Sequence, residues 1–423
     1  MPSVGIHSSK FLVTTTTMIS SQIIVVGLNA ALQKRFVLPD KQVLMPGNVH
    51  RASTVNIGVG GKGQDAAIAL HCLGLNDAIK LLQFVGTGST GDVVYKLLLD
   101  QLGESAMELT VRPSSEMRTC TSIVASDETT ELVEPSGIIT SDEIEELFSN
   151  KLSSCVNNDA RSLCIMGSMP PGVGNDTYAR IYSKVVGPSS ICVVDSLAGI
   201  EPLLLKVSEL GNNACPLLLK INASELCKLV GTSKSSSERG GIEKKELIDA
   251  IDMFLSKYYL TPTTINTLLG LAITDGKHAA YFVSFEKDQQ EFRIFKYSVP
   301  NLETSQTLYP IGAGDAVAAG VIAAWTSIEI TTTSSLPTVP KACLKVLVDF
   351  VESIRKDQSS LTTANAVASF AFGLSCGSAS CLQEENSVLD DSDVVRLFQT
   401  IRKPDLIHNQ SFRKYKEENE DDR

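Results

Sequence analysis

PIGAGDAVAAG, residues 310–320, joins a glycine turn to a run of small apolar residues and places one acid, Asp315, between them. Glycines at 312 and 314 free the backbone to turn its N–H groups toward one point, and a helix is predicted from about Ala313 to Trp325. A glycine turn at a helix start binds anions through its peptide dipoles. Two simpler interpretations stand beside this one: the helix dipole stabilises an acid here, and the small residues allow close helix packing.

A second glycine cluster, IGVGGKGQDAAIALHCLG at residues 57–74, again joins a turn to a helix and holds Lys62 inside the turn. It is not a Walker A loop, because the spacing to the lysine differs and no Ser or Thr follows the lysine. Glycines on both sides give Lys62 room to reach a ligand, although a loop lysine is usually solvated. In its simplest interpretation, Asp65 is an acid in the first turn of a helix.

Short apolar runs alternate with helical patterns along the chain, which predicts an α/β fold with a parallel sheet flanked by helices. The predicted strands are QIIVVGL from residue 22, KLLQFVG from 80, SLCIMG from 162, SICVVD from 190, CPLLLKI from 215 and LLGLAIT from 268. The predicted helices are 62–74, 91–103, 141–153, 176–186, 223–230 and 245–258. The third helix begins with a capping box, Thr140 with Glu143.

Two segments interrupt this alternation. Residues 33–57 and 106–134 are predicted to be extended and to form a small β-sheet lid, which in such folds usually covers a site at the carboxyl ends of the strands. One domain is therefore predicted over residues 22–410. Within it we expect two surface insertions, at residues 231–246 and 327–360, and outside it a disordered lead at 1–21 and a charged tail at 411–423.

Composition excludes several classes of function. The formal net charge of −11 argues against a nucleic-acid partner, since phosphates require clustered Lys and Arg. No stretch reaches the roughly 18 uninterrupted apolar residues of a membrane span. Ten cysteines without a CxxC pair and five histidines without paired spacing predict reduced thiols, so any metal must be bound through oxygen. Residues 1–22 lack Arg and fit a cytosolic lead better than an organellar transit peptide, which favours a cytoplasmic protein.

The two glycine clusters in this order, with a β lid between strands and an acid closing the second cluster, resemble the ribokinase-like sugar kinases of the PfkB family. The resemblance covers roughly residues 22 to 400. It extends to GSMPPG at 167, VVDSLAG at 193, KINASEL at 220, AITDGKHAA at 272 and FGLSCGSAS at 372. It implies a ribokinase-like parallel-sheet sandwich with a small β lid, and ATP and Mg²⁺ as cofactors.

Within that family, LNAALQKRF, EMRTCT, TTELVEPSG and GSMPPGVGNDTYARI are most similar to the phosphosugar branch of 1-phosphofructokinase, 6-phosphofructokinase and tagatose 6-phosphate kinase. In that branch a glycine-loop lysine and a lid arginine hold the phosphate on the sugar, which implies these roles for Lys62 and Arg118. Arginine presents a bidentate fork to phosphate and lysine a point charge. A charge at a strand edge in solvent is the simpler interpretation of Arg118. The resemblance also implies sugar contacts for Gly61, Gln33, Asp65 and Ser168.

By the same resemblance, Asp315 is the general base that takes the proton from the sugar hydroxyl. The peptide N–H groups of the preceding turn stabilise charge on the transferring phosphoryl group. That turn consists of Gly312, Ala313 and Gly314. The glycine turn and its acid would thus form one catalytic unit.

The nucleotide side is also implied by the resemblance. Lys220 resembles the lysine that contacts the nucleotide phosphates, and Asn222 with Glu225 matches an NxxE pattern that organises Mg²⁺ through water. The simpler interpretation of this pair is a helix cap and a first-turn acid. Further residues on this side are Thr274, Gly276 and Ser378.

Four positions depart from the family pattern. Gln33 replaces an acid, because the family's NPxxD reads NAALQ, whereas Asp65 and Cys120 each replace an Asn. These three lie on the sugar side, where a mismatched buried hydrogen-bonding group costs about 1–3 kcal/mol, so the identity of the sugar stays open. Tyr309 and Pro310 replace a small polar pair near the nucleotide phosphates, and Pro310 has no N–H to donate.

The leading hypothesis is an ATP- and Mg²⁺-dependent kinase for a phosphorylated hexose, such as fructose or tagatose phosphate. One alternative is a catalytically slack nucleotide- or sugar-binding protein on the same fold, and another is a kinase for a different small alcohol. We predict no nucleic-acid or membrane partner. The exposed strand edges of the lid predict a homodimer through that layer.

Overall fold

The structure is a computed structural model. It describes residues 22–39, 42–125, 129–153, 160–185, 187, 190–232, 241–258, 268–286, 291–302, 307–330, 339–357 and 359–411. The predicted lead, residues 412–423 of the predicted tail, and residues 233–240 and 331–338 of the predicted insertions lie outside these ranges.

Strands and helices alternate over most of the described chain. The strands are β1 Gln22–Gly27, β2 Ala31–Val37, β3 Thr54–Gly60, β4 Ile79–Phe84, β5 Thr110–Val111, β6 Thr119–Val124, β7 Thr129–Val133, β8 Ala160–Met166, β9 Ile191–Asp195, β10 Leu217–Asn222, β11 Leu268–Thr274, β12 Ala280–Glu286, β13 Glu291–Tyr297 and β14 Asp405–Ser411. The helices are α1 Lys62–Cys72, α2 Ser89–Leu102, α3 Glu104–Met107, α4 Ser141–Glu146, α5 Thr177–Val185, α6 Ile200–Leu210, α7 Ala223–Val230, α8 Lys244–Lys257, α9 Ala313–Ile330, α10 Lys341–Arg355, α11 Leu361–Ser380 and α12 Asp391–Phe398.

Ten strands form the main sheet, in the order β14-β13-β12-β11-β10-β9-β8-β1-β4-β5. Neighbours from β11 to β5 are parallel, whereas β12, β13 and β14 extend the sheet antiparallel. The central strands are buried along their length because helices cover both faces, which is why they appear in the sequence as continuous apolar runs. The predicted α/β fold is confirmed, and the six predicted runs all lie in this sheet.

Four strands form the separate lid sheet, in the order β3-β2-β6-β7. Strand β2 runs antiparallel to β3 and parallel to β6. The second extended segment differs from its prediction in its first half: α3 interrupts it, and β5 pairs with β4 in the main sheet. Leu109 and Val111 are fully buried there, and this apolar burial draws the segment into the main layer.

Helix α10 lies inside the segment 327–360 that was predicted to be a surface insertion. Its buried residues recur at helical spacing, namely Cys343, Leu347, Phe350 and Ile354, so this part of the segment contributes to the core. The Ser- and Thr-rich stretch before it masks this period in the sequence.

Helix α9 is buried on nearly all sides and packs against α11, α1 and the sheet. Gly320 allows the close contact with α11, since a Cβ at this position would lie 2.7 Å from Cys376 Sγ and 2.8 Å from Gly373 Cα. The small residues after Asp315 therefore do serve close helix packing. In the part of the chain that the structure describes, no helix has the length and apolar character to span a membrane.

Candidate active site

A cleft of about 610 Å³ lies between the lid and the carboxyl ends of the parallel strands. Residues that directly follow β1, β8 and β9 line it, among them Asn29, Ser168 and Ser196. Both glycine turns open into the same cleft, which places Lys62 and Asp315 together. Ligands of open α/β sheets bind at this edge of the strands.

The first glycine turn brings the start of α1 against the end of β1. Gly61 has a φ of +119°, which is accessible to glycine, and a Cβ on Gly63 would lie only 2.3 Å from Gly27 Cα. This close backbone approach directs Lys62 toward the neighbouring strand ends. Its side chain is 35% exposed and lines the cleft.

Asp195, at the end of β9, joins two lysines of the site. One carboxylate oxygen lies 2.7 Å from Lys62 Nζ and the other 2.5 Å from Lys220 Nζ. Burial acts to raise the pKa of Asp195, but the ammonium groups of Lys220 and Lys62 lower it overall. No role is predicted for Asp195 above, although an acid directly after the buried run ICVV is a signal that marks a strand end facing a site.

Asp315 lies in the first turn of α9 and is almost fully buried at the cleft. Burial, followed by the negative charge of Asp195, raises the pKa of Asp315 to about 7. The nearby ammonium groups of Lys62 and Lys220 limit this rise. A carboxylate with a pKa near neutrality is matched to proton abstraction at physiological pH.

The second glycine turn differs in one detail from the predicted anion site. Gly312 has a φ of +86°, and its carbonyl accepts from Asp315 N at 3.0 Å and from Ser387 Oγ at 2.8 Å. The N–H of Ala313, however, donates to Pro310 O at 3.2 Å. Of the three predicted anion-binding groups, this one is therefore engaged within its own turn.

Asn222 and Glu225 form a capping box at the start of α7. Asn222 Oδ1 accepts from Glu225 N at 2.8 Å, and Glu225 Oε2 accepts from Asn222 N at 2.9 Å. The helix-cap interpretation therefore holds. Glu225 also accepts from Lys62 Nζ at 3.1 Å and lines the cleft, which ties this cap to the first glycine turn.

A metal ion has few direct ligands at this site. The described residues contain no group of three His, Cys, Asp or Glu side chains arranged to hold one. The pair Asn222 and Glu225 fits a hydrated Mg²⁺, because that ion keeps several waters and needs few carboxylates.

Polar residues from the lid and from the strand ends line the part of the cleft for which sugar contacts are predicted. Arg118 donates to Asn29 O at 2.8 Å, and Asn29 Nδ2 donates to Ser168 Oγ at 2.9 Å. Gln33 lines the cleft and donates to Ser122 Oγ at 2.8 Å. The cleft brings together all the sugar-binding residues predicted from the sequence, which are Gln33, Gly61, Lys62, Asp65, Arg118 and Ser168.

Asp65 has an unusual environment. It is buried in α1, and its Oδ1 has no hydrogen-bond partner within the described ranges. Burial and then the charge of Asp315 raise its pKa well above the usual range, and Arg35 opposes them. Two acids in one buried site disfavour simultaneous ionisation, so the neutral form of Asp65 is favoured.

The other predicted nucleotide residues lie outside the lining of this cleft. Thr274 is in register with Asn222 on the neighbouring strand, Gly276 follows in an exposed turn with a φ of +58°, and Ser378 is buried in α11. None of the three is among the residues that line the cleft between lid and sheet. Their nucleotide role stays a prediction.

A sequence model of the pfkB family carbohydrate kinases matches residues 22–385. Phosphofructokinase-2 from Escherichia coli in complex with fructose-6-phosphate is similar over 90% of this chain and 98% of that chain, at 20% identity and a TM-score of 0.59. A possible 1-phosphofructokinase from Thermotoga maritima is similar over 92% of this chain and 100% of that chain, at 16% identity and a TM-score of 0.59. Ribokinase from the same organism is similar over 90% of this chain and 99% of that chain, at 13% identity and a TM-score of 0.53. These likenesses show a ribokinase-like fold, as predicted.

Proposed function

Since the chain belongs to the pfkB family of carbohydrate kinases, we propose that it transfers the γ-phosphoryl group of ATP to a hydroxyl of a phosphorylated hexose, such as fructose or tagatose phosphate. One observation carries the kinase chemistry: Asp315 lies buried at a glycine turn in the cleft, with its pKa raised to about 7. An acid that served only to cap the helix dipole would need neither this burial nor this pKa.

In the proposed reaction Asp315 accepts the proton of the sugar hydroxyl while that oxygen bonds to the γ-phosphorus. The bond from the γ-phosphorus to the bridging oxygen breaks, and its electrons leave with ADP. The peptide groups of Gly312 and Gly314 and the ammonium of Lys220 offset the charge on the moving phosphoryl group. Asn222 and Glu225 would hold Mg²⁺ through water, and the ion would supply charge neutralisation at the nucleotide phosphates.

Arg118 and Lys62 support a phosphorylated acceptor. Both line the cleft, so the two cations can face a phosphate carried by the sugar. Arg118 is fixed by Asn29 O, and its Nε has no hydrogen-bond partner within the described part of the chain. A guanidinium held in this way retains donors for a ligand.

An ATP-consumption screen over phosphorylated and free hexoses tests the proposal, and we expect a phosphorylated hexose to be preferred. Arg118→Ala should raise KM for that substrate and leave KM for ATP unchanged. Arg396→Ala is the matched control, because Arg396 pairs with Asp393 on the surface of α12 and should alter neither value. Equal activity on free and phosphorylated sugars would contradict the phosphate assignment. Nucleotide binding without turnover on any acceptor would favour a catalytically slack binding protein.

We also propose a homodimer formed through the lid. Strand β3 exposes Val55 and Ile57, and β7 exposes Leu132 and Val133. These strands are the two edges of the lid sheet, so apolar side chains coincide with unpaired backbone groups. Such an edge is suited to pair with another copy of the same layer.

A cytoplasmic location completes the proposal. It is supported by the thiols, since all nine cysteines in the described ranges are free and most are buried. Free thiols persist in reducing compartments, whereas secreted proteins usually form disulfides.

A further inference from the structure

Arg35 is a buried cation at the junction between the lid and the core. It lies on β2, is 3% exposed, and donates from its guanidinium to Asn386 Oδ1. The guanidinium carbon also lies 5.3 Å from the centre of the Tyr309 ring. One lid side chain therefore contacts two core segments, the one that leads into Gly312 and the one that follows α11.

The charge of Arg35 has no anionic partner at close range. None of the ion pairs among the described residues involves its guanidinium, and its Nε has no hydrogen-bond partner. The charged groups that face it are Asp65 of α1, Glu131 of β7 and Glu384 after α11. A buried and unpaired arginine contributes little to stability, so its position points to a role other than holding the fold together.

Asn386 is directly followed by the residue that holds the second glycine turn. Ser387 donates from Oγ to Gly312 O at 2.8 Å, and a Cβ on Gly312 would meet that same Oγ at 2.5 Å. Among the described residues Ser387 is the one non-glycine with a positive φ, at 55°. Such strain persists only where the surroundings impose it, and it concentrates at functional sites.

The same strand of the lid reaches the sugar side. Gln33 precedes Arg35 by two residues on β2, so both side chains project from the same face of the lid sheet. Gln33 lines the cleft, and so does Asn386. One face of β2 thus carries both Gln33, a predicted sugar contact, and Arg35, which contacts the core, two positions apart.

We propose that Arg35 is a positioning residue: by docking on Asn386 it places the lid, and with it the sugar-binding face of β2, in register with Gly312 and Asp315. The expected effect on catalysis rests on the proposed kinase function, whereas the docking of Arg35 on Asn386 does not. Lid closure on sugar binding and the geometry of phosphoryl transfer are then linked through the adjacent residues Asn386 and Ser387.

The kinetic test compares Arg35→Met with Lys34→Met, because Lys34 is the neighbouring lid cation, projects from the opposite face and lies over the Phe36 ring. Arg35→Met should lower kcat roughly 10- to 100-fold and raise KM for the sugar phosphate, with KM for ATP unchanged, since small misplacements of a reactant carry losses of that size. Lys34→Met should leave all three values as they are. A wild-type kcat in Arg35→Met would overturn the proposal.

A double-variant cycle separates positioning from general lid packing. Asn386→Ala removes the same hydrogen bond from the core side. The kcat of the double variant Arg35→Met, Asn386→Ala should therefore be no lower than that of the slower single variant. Additive losses would overturn the proposal. Asn386→Ala alone also serves if Arg35→Met does not fold.

Amide hydrogen exchange tests the docking without any turnover. Without ligands, Arg35→Met should speed exchange in β2 and in residues 381–390 relative to Lys34→Met. Unchanged exchange would overturn the docking even if the kinase reaction is found. Faster exchange in a protein without turnover would retain the docking and refute only the proposed reaction.

Discussion

Replacing Asp315 by Asn should remove turnover and at the same time stabilise the protein. The pKa of Asp315 is raised to about 7 from an ordinary value of 3.8. At 1.36 kcal/mol per pKa unit, ionising this side chain in the folded protein costs about 4 kcal/mol more than in the unfolded chain. Between these two pKa values the folded state retains a proton that the unfolded state has lost, so the free energy of unfolding falls as the pH rises from 3.8 to about 7.

Asn has no charge to bury, so the variant escapes this penalty. Asp315→Asn should exceed the wild type in free energy of unfolding by as much as about 4 kcal/mol at about pH 8, and the difference should shrink as the pH falls below 7. Its kcat should drop by about 10²-fold or more, the usual contribution of a general base. In the wild type, kcat should rise with pH about a midpoint near 7 and reach about a tenth of its plateau one pH unit below that midpoint.

Urea unfolding and steady-state kinetics on one preparation, near pH 6 and pH 8, measure both effects. Asp142→Asn is the matched control, since Asp142 is also a first-turn acid, on α4, but is exposed and does not line the cleft. It should lose only about 0.3–1 kcal/mol of stability and no activity. An Asp315→Asn variant with wild-type kcat, or one destabilised like the control, would refute the general-base assignment.

Three further predictions concern the rest of the site and the lid. In Asp65→Asn the KM for the sugar should be independent of pH, whereas in the wild type it should rise with pH as the proton that burial and Asp315 retain on Asp65 is lost; parallel pH profiles would contradict a neutral acid. Asp195→Asn leaves two ammonium groups without their shared partner and should cost about 3–5 kcal/mol in urea unfolding, and a loss under about 1 kcal/mol would show that the pairs contribute little. Ile57→Lys places a charge on the exposed lid edge and should shift light scattering toward the monomer, whereas an unchanged mass would argue against dimerisation through β3.

The sequence predicts the parallel part of the fold well, because strands covered on both faces need continuous apolar runs such as QIIVVG and ICVV. It predicts the antiparallel extension poorly. Strand β14 has the largely polar sequence DLIHNQS, and its pairing is set by β13, more than a hundred residues earlier. A helix such as α10 is likewise missed when the stretch before it is rich in Ser and Thr.

For the site, local chemistry was visible in the sequence and long-range pairing was not. Glycines at 312 and 314 indicate a turn at a helix start, so Asp315 was found from its neighbours. The pairing of Asp195 with two lysines is visible only in the structure, because α1 and β10 contribute those lysines from distant parts of the chain. The contact of Arg35 with Asn386 spans 351 positions, and no local pattern encodes such a separation.

The glycine contact between α9 and α11 has a mechanical consequence. Gly320 packs directly against the backbone of Gly373 and the side chain of Cys376, and such close packing transmits a displacement of one helix to the other. Asp315, in the first turn of α9, should therefore keep its position on heating and on ligand binding. The lid sheet, by contrast, has exposed edges, so we expect thermal loss of activity to begin in the lid while Asp315 keeps its position.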